Sequence, residues 1–113
     1  MKLDSFRYAF QGLVDLFRSQ PNARIHAMAA TAAGVAGYFF QISRLEWVAI
    51  VLCIVLVISM EAMNTALEYL TDLVSPDYHP LAGKVKDVAA AAVLIAAIGS
   101  IGVATIIFLP KII

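Results

Sequence analysis

The sequence has few charges, one cysteine and no glycine-rich phosphate loop. Only 14% of its 113 residues are charged, and eight basic side chains balance eight acidic ones, so nothing favours general attraction to nucleic acid. The single cysteine, Cys53, can form no intrachain disulfide and is expected to be a small buried hydrophobic side chain. No GxxxxGK[ST] sequence occurs, which excludes a P-loop. We also expect no signal peptide, because no apolar core with a small-residue cleavage site follows the charged, aromatic N-terminal residues.

Hydrophobic residues are abundant instead. They make up 62% of the chain, and the mean hydropathy is +0.88. A soluble domain of this size could not bury so much apolar surface, because the ratio of buried interior to exposed surface is low in small domains. We therefore predict a single-domain, all-α membrane protein.

Four helical segments and one loop are predicted along the chain. The first has aromatic and aliphatic residues at helical spacing with charges between them, which is typical of a helix lying in the membrane interface. Three apolar runs are long enough to cross a bilayer, and the first is rich in alanine and glycine, which allows close helix packing. The predicted bounds are 4–19 for the amphipathic helix, 24–42, 46–73 and 87–109 for the spans, and 74–86 for a cytoplasmic loop.

Basic residues predict the orientation, because positive charge concentrates in cytoplasmic loops. One side of the predicted spans carries Lys2, Arg7, Arg18, Arg24, Lys84 and Lys86, and the other side carries Arg44 and Lys111. This distribution places the N-terminus and the loop in the cytoplasm and the C-terminus outside.

Acidic residues at the end of the second span form a stripe. At about 100° per residue, Glu61, Asn64, Glu68 and Asp72 fall within an arc of roughly 80° on one helix face. Such a shared face can line a bundle interior or a water-filled site. Carboxylates with an amide favour a hard cation, commonly Mg²⁺ with phosphate in the cytoplasm, and a free carboxylate could act as a general base. Solvation among lipid headgroups is the alternative, strongest for Asp72 and weakest for Glu61.

Two stretches carry a resemblance to a known family. The sequences EAMNTALEYLTD (61–72) and YHPLAGKVKDVAAAAVL (78–94) resemble the prokaryotic integral-membrane diacylglycerol kinases, which include undecaprenol kinases. The matching pattern is Glu-x-x-Asn-[Ser/Thr]-Ala-x-Glu-x-x-x-Asp, followed by a Lys-Asp pair at the expected distance. The resemblance covers essentially the whole chain.

The resemblance implies a homotrimer in the bacterial inner membrane, with active sites shared between neighbouring subunits. It implies direct in-line transfer of the γ-phosphate of ATP to a lipid alcohol, with Mg²⁺ as cofactor. Glu61 would be the general base and would contact the substrate together with Asn64, and Glu68 would hold the metal. The residues implied around the nucleotide are Tyr8, Asp77, Tyr78, His79, Lys86 and Asp87, and the supporting residues are Asp72, Arg24 and Lys84.

One position departs from the family pattern. Two residues before Asn22, where members usually carry a metal-binding glutamate, this chain has Gln20. Glutamine keeps a ligating oxygen but loses the charge, so Mg²⁺ affinity is expected to fall. Undecaprenol is favoured as substrate, followed by diacylglycerol. The alternatives are a catalytically weakened member and a non-catalytic oligomeric scaffold or cation-conducting bundle.

Overall fold

The structure, a computed structural model, describes residues 3–113. These residues form four helices and no strand: α1 (Leu3–Ser19), α2 (Pro21–Phe39), α3 (Arg44–Val74) and α4 (Pro80–Ile112). The predicted all-α class is confirmed. Lys2, one of the basic residues behind the predicted orientation, lies outside the described residues.

Helix α1 is amphipathic and packs through one small apolar contact. Leu16 is only 3% exposed, whereas Phe6 and Phe10 on the rest of the helix are exposed. Asp4 in the first turn and Arg18 in the last turn complement the helix dipole. The exposed aromatic residues leave α1 with an apolar surface suited to a membrane interface, as the sequence predicts.

The corner between α1 and α2 is closed by two residues. Pro21 occupies the start of α2, where its fixed φ and missing N–H cost nothing, so the helix begins three residues before the predicted span. The Arg24 guanidinium donates to the carbonyl oxygens of Phe17 and Arg18 at 2.9 and 3.0 Å. It thereby satisfies carbonyls that the end of α1 would leave without a partner.

The turn between α2 and α3 ends the first predicted span earlier than residue 42. Gln41 adopts a left-handed backbone with φ of 52°, and the N–H of Ile42 donates to the carbonyl of Gly37, as in a Schellman cap. A Cβ on Gly37 would lie 2.8 Å from the indole of Trp47, so glycine lets α3 approach closely. Ser43 then starts α3 with a capping box.

Helices α3 and α4 form the most extensive helix pair. Each is long and apolar enough to cross a membrane, and at about 1.5 Å per residue each exceeds a hydrocarbon core of about 30 Å. Ion pairs join the two helices near both ends, Asp72 with Lys86 at 2.7 Å and Glu46 with Lys111 at 2.8 Å. The third predicted span, α2, is shorter, with 19 residues.

The connection between α3 and α4 is shorter than the predicted loop of residues 74–86. Only residues 75–79 are non-helical. His79 caps α4 by accepting a hydrogen bond from the N–H of Leu81 at 3.1 Å, and Pro80 occupies the first helical position. Pro80 therefore begins a helix that carries Lys84 and Lys86 on its first two turns, within the predicted loop.

Candidate active site

The polar stripe of α3 passes from the interior of the chain to its surface. Glu61 is 2% exposed and Asn64 is 9% exposed, whereas Glu68 is half-buried and Asp72 is exposed. This gradient follows from the length of α3, whose end extends beyond the apolar part of the helix. The stripe thus joins a buried carboxylate to an exposed polar end.

Glu61 lies beside a histidine of α2. Its Oε1 is 4.0 Å from Nε2 of His26, whose side chain is 21% exposed. The hydroxyl of Thr65 donates to the backbone carbonyl of Glu61 at 2.9 Å, which satisfies the threonine within its own helix. A carboxylate buried among apolar side chains is costly unless a partner or a ligand compensates it, so this position is a candidate for chemistry.

Asn64 and Glu68 meet one turn further along α3. The amide nitrogen of Asn64 donates to Glu68 Oε1 at 3.2 Å, so its oxygen points away from that carboxylate. This oxygen, Oδ1, is buried and has no hydrogen-bond partner within residues 3–113. Buried polar atoms are almost always satisfied in folded proteins, and an orphaned amide oxygen beside a carboxylate therefore suits a cation or a polar ligand.

The donor set fits a hard metal ion only in part. Carboxylate and amide oxygens are the ligands that Mg²⁺ prefers, and Asn64 and Glu68 present both. Among the described residues, no group of three or more His, Cys, Asp and Glu side chains is placed to hold a metal. Since Mg²⁺ is commonly held by one or two carboxylates together with substrate phosphates, the residues fit an ion that arrives with a nucleotide.

Asp72 and Lys86 connect the stripe to α4. The ammonium of Lys86 donates to Asp72 Oδ1 at 2.7 Å, and both side chains are partly open to solvent. This hydrogen bond raises the pKa of Lys86, which precedes the apolar part of α4, above its ordinary value. Lys86 is therefore held as a cation within reach of the acidic stripe.

An apolar groove lies between α2, α3 and α4 and is lined in part by His26, the neighbour of Glu61. Its volume is about 340 Å³. His26 and Ser100 are its polar lining residues, and the rest of the lining is aliphatic, with Cys53 and several alanines. Cys53 is half-buried, which is less burial than the sequence suggests. Because His26 also touches Glu61, the groove leads toward the buried carboxylate.

The other sequence-predicted site residues form no side-chain hydrogen bond or ion pair with the stripe among residues 3–113. Those exposed on the surface are Tyr8, Asp77, Tyr78, Lys84 and Asp87. Tyr8 contacts its neighbour Arg7, whose guanidinium lies 5.1 Å from the ring centre. Arg24 and His79 cap helices, as described above. Gln20 is half-buried at the corner before α2, and its side chain makes no capping hydrogen bond.

Two contacts escaped the sequence reasoning. The His26–Glu61 approach joins residues on different helices, and helical spacing within one helix gives no signal for it. The second is a hydrogen bond of 2.7 Å from the Tyr69 hydroxyl to Asp15 Oδ2, between α3 and α1. A tyrosine one position after Glu68 is the only hint in the sequence, and it does not identify a partner.

Comparison with known proteins decides the family. Residues 7–108 match the family described as prokaryotic diacylglycerol kinase. An undecaprenol kinase from Bacillus subtilis is 40% identical over 107 residues, covering 95% of this chain and 87% of that protein. The chain belongs to the prokaryotic diacylglycerol kinase family. A diacylglycerol kinase from Escherichia coli K12 is 31% identical over 91 residues, 80% of this chain and 75% of that one.

Family membership makes the chain a lipid kinase, as the resemblance in the sequence implies. With two helices long enough to span, it also fits a membrane location. A diacylglycerol kinase from Synechocystis sp. is 40% identical over 109 residues, 96% of this chain but 62% of that protein. The two relatives at 40% identity are named for different lipids, so similarity alone does not select the substrate.

Proposed function

We propose that this family member uses ATP and Mg²⁺ to phosphorylate a membrane lipid alcohol by direct in-line transfer, with undecaprenol favoured over diacylglycerol. The observation that carries the proposal is the burial of Glu61 beside His26, at the end of an apolar groove. A hydrocarbon chain and a hydroxyl group can meet a carboxylate there, away from bulk water.

Glu61 is the proposed general base. As the lipid hydroxyl oxygen bonds to the γ-phosphorus, the bond from that phosphorus to the β–γ bridging oxygen breaks, and ADP leaves with that electron pair. The hydroxyl proton passes to a carboxylate oxygen of Glu61. General-base catalysis of this kind contributes on the order of 10²- to 10⁴-fold.

Glu68 would hold Mg²⁺, with Gln20 as a weaker ligand, and to these we add Asn64, which the family resemblance assigns to the substrate. The orphaned oxygen of Asn64 and its contact with Glu68 support this assignment. When bound, the ion neutralises charge on the transferring phosphate. Lys86, fixed by Asp72 and adjacent to Asp87 in sequence, is proposed to face the nucleotide phosphates. Tyr8, Asp77, Tyr78 and His79 are proposed to complete the nucleotide site, with Lys84 and Arg24 in supporting positions.

The proposed assembly is a homotrimer of three-span subunits, with the N-terminus cytoplasmic and the C-terminus outside. Two observations support shared sites. The proposed nucleotide residues Tyr8, Tyr78 and Asp87 are exposed and form no side-chain hydrogen bond or ion pair with the stripe among residues 3–113. The described residues also supply only part of a metal site. Neighbouring subunits would bring the remaining groups to each stripe.

The groove is the proposed site for the part of the lipid chain next to the hydroxyl group. Its aliphatic lining favours a polyprenol or an acyl chain equally in chemistry. Its volume of about 340 Å³ holds only part of either chain, so the groove does not itself select the lipid. Undecaprenol is placed first on the sequence resemblance.

The test is a substrate panel in mixed micelles, measuring transfer of labelled γ-phosphate with and without Mg²⁺. We expect phosphorylated undecaprenol with a kcat/KM several-fold above that for dioleoylglycerol, and no product when Mg²⁺ is chelated. A higher kcat/KM for dioleoylglycerol would reverse the lipid assignment, and cation flux in liposomes without any phosphorylation would favour the conducting bundle.

A matched pair of variants tests the groove. Ala30→Phe fills it, whereas Ala32→Phe makes the same change on an exposed face of α2 that does not line it. We expect Ala30→Phe to raise the KM for the lipid about tenfold with the KM for ATP unchanged, and Ala32→Phe to alter neither. Equal effects of the two variants would place the lipid tail elsewhere.

A further inference from the structure

A three-residue polar contact fastens α1 to α3. The Tyr69 hydroxyl donates to Asp15 Oδ2 at 2.7 Å, and Ser19 Oγ lies 3.2 Å from the same hydroxyl. Ser19 also donates to the backbone carbonyl of Asp15 at 2.8 Å, which holds the two α1 residues together. We refer to Asp15, Ser19 and Tyr69 as the α1 latch.

The hydrogen bond from Tyr69 to Asp15 is the side-chain hydrogen bond that joins α1 to α3 within residues 3–113. Ser19 Oγ lies in polar contact with the same hydroxyl, since its own proton is donated to the Asp15 carbonyl. The apolar contact of α1 is small, because Leu16 is its single fully buried side chain. An amphipathic helix attached so lightly can slide or lift unless a directional bond fixes it. The short hydrogen bond to a carboxylate supplies that direction, since charge-assisted bonds are stronger than neutral ones.

The position of the latch in the chain gives it a consequence for the site. Tyr69 directly follows Glu68, and Ser19 directly precedes Gln20. The latch therefore joins the α3 turn that carries one proposed metal ligand to the α1–α2 corner that carries another. Holding Ser19 beside Tyr69 sets how far Gln20 stands from the stripe, and neither of these two hydroxyl groups is assigned as a ligand to the ion.

We propose that Tyr69 is a positioning residue, which acts through Asp15 and Ser19 to hold the Gln20 corner in register with Glu68 for metal–nucleotide binding. This inference rests on the proposed function, because it takes Gln20 and Glu68 as the metal side of the site. It assigns the latch to the binding of Mg²⁺ and ATP and gives it no part in lipid binding or proton transfer.

The first experiment compares Tyr69→Phe, Asp15→Ala, Asp15→Asn and the double variant Tyr69→Phe with Asp15→Ala. Tyr69→Phe removes only the donor, and we expect it to raise the KM for Mg²⁺·ATP about fivefold, as loss of one partly exposed hydrogen bond predicts. The KM for lipid stays unchanged. Asp15→Asn retains an accepting oxygen but loses the charge, so its KM for Mg²⁺·ATP should lie between those of the wild type and Asp15→Ala, whereas Asp15→Ala matches Tyr69→Phe.

The double variant and a control variant distinguish loss of the latch from a general loss of folded structure. If the two residues act through one bond, the double variant is no worse than either single variant. Tyr38→Phe makes the same change on an exposed tyrosine at the end of α2 and should leave all constants unaltered. Additive losses, a rise in lipid KM equal to that for Mg²⁺·ATP, or an Asp15→Asn variant as weak as Asp15→Ala would overturn the proposal.

A crosslink supplies a rescue that a merely stabilising contact would not show. In a Cys53→Ala background, Ser19→Cys and Tyr69→Cys together place two thiols at the latch. We expect a short thiol-reactive crosslinker to join them within one chain and to return the KM for Mg²⁺·ATP to near the wild-type value. Absence of an intrachain crosslink, or a crosslink that leaves the KM raised, would contradict the role assigned to the latch.

Metal–nucleotide affinity distinguishes failure of the latch from failure of the proposed function. Binding of Mn²⁺ with a non-hydrolysable ATP analogue, followed by electron paramagnetic resonance, should weaken about fivefold in Tyr69→Phe. If wild-type protein binds Mn²⁺ and the ATP analogue but phosphorylates no lipid, the proposed transfer is refuted. The role of the latch is then decided by the affinity of Tyr69→Phe for the same two ligands. Equal affinity in wild type and Tyr69→Phe would refute the latch, whatever the activity.

Discussion

His26 Nε2 lies 4.0 Å from Glu61 Oε1, across the interface between α2 and α3. The histidine faces two environments, because it lines the apolar groove and also borders the buried carboxylate. It is therefore placed where the polar end of a lipid would pass from the groove to Glu61. Separate consequences follow for His26, Gln20 and Lys86.

Replacing His26 should weaken catalysis without removing it. We expect His26→Leu to lower kcat for the lipid roughly tenfold, because the Glu61 carboxylate loses its polar neighbour and is less well positioned to accept the hydroxyl proton. His26→Gln keeps a hydrogen-bonding group, so its kcat should lie between those of the wild type and His26→Leu. Steady-state kinetics on both variants, with thermal unfolding as the control for folding, checks this; full activity in His26→Leu would refute it.

Gln20→Glu should strengthen metal binding. The substitution adds the carboxylate that the family resemblance predicts at this corner, and a charged oxygen attracts Mg²⁺ more strongly than an amide oxygen does. We expect the Mg²⁺ concentration for half-maximal activity to fall about three- to tenfold. Gln20→Ala, which removes the oxygen, should raise it. If the Mg²⁺ dependence is the same in all three proteins, residue 20 is a structural corner and not a ligand.

Two lysines form equivalent ion pairs at opposite ends of the α3–α4 pair, which provides an internal control. Lys86 bonds Asp72 at 2.7 Å and Lys111 bonds Glu46 at 2.8 Å. Exposed pairs contribute at most about 1 kcal/mol to stability, so Lys86→Ala and Lys111→Ala should have similar unfolding temperatures. We expect only Lys86→Ala to raise the KM for ATP, by about tenfold or more. Equal KM values in the two variants would remove Lys86 from the nucleotide site.

Much of the fold could be predicted from the sequence, since apolar spacing and length define helices in a chain this hydrophobic. Helix α1 differs from its predicted bounds by a single residue at the start. The errors occur at helix ends, where capping decides. Pro21 and Pro80 each begin a helix before the predicted start of a span, at residues 24 and 87, and Gln41 ends α2 through a left-handed backbone that no local sequence signal required.

The site could be predicted only along α3. Helical spacing places Glu61, Asn64 and Glu68 on one helix face. In the structure Glu61 and Asn64 are buried, and Asn64 donates a hydrogen bond to Glu68 on that face. Contacts between helices could not be predicted from the sequence, because the rotation of α1 and α2 relative to α3 depends on packing. His26 beside Glu61 and Asp15 beside Tyr69 are both contacts of this kind.

The role of Glu61 is tested most directly by a single isosteric change. Glu61→Gln keeps the shape and removes the proton acceptor, and Glu46→Gln makes the same change at the far end of α3 as its control. We predict that kcat for ATP-dependent lipid phosphorylation falls at least about 100-fold in Glu61→Gln, with metal–nucleotide affinity retained, and stays within twofold of wild type in Glu46→Gln. Undiminished lipid phosphorylation by Glu61→Gln would contradict the account.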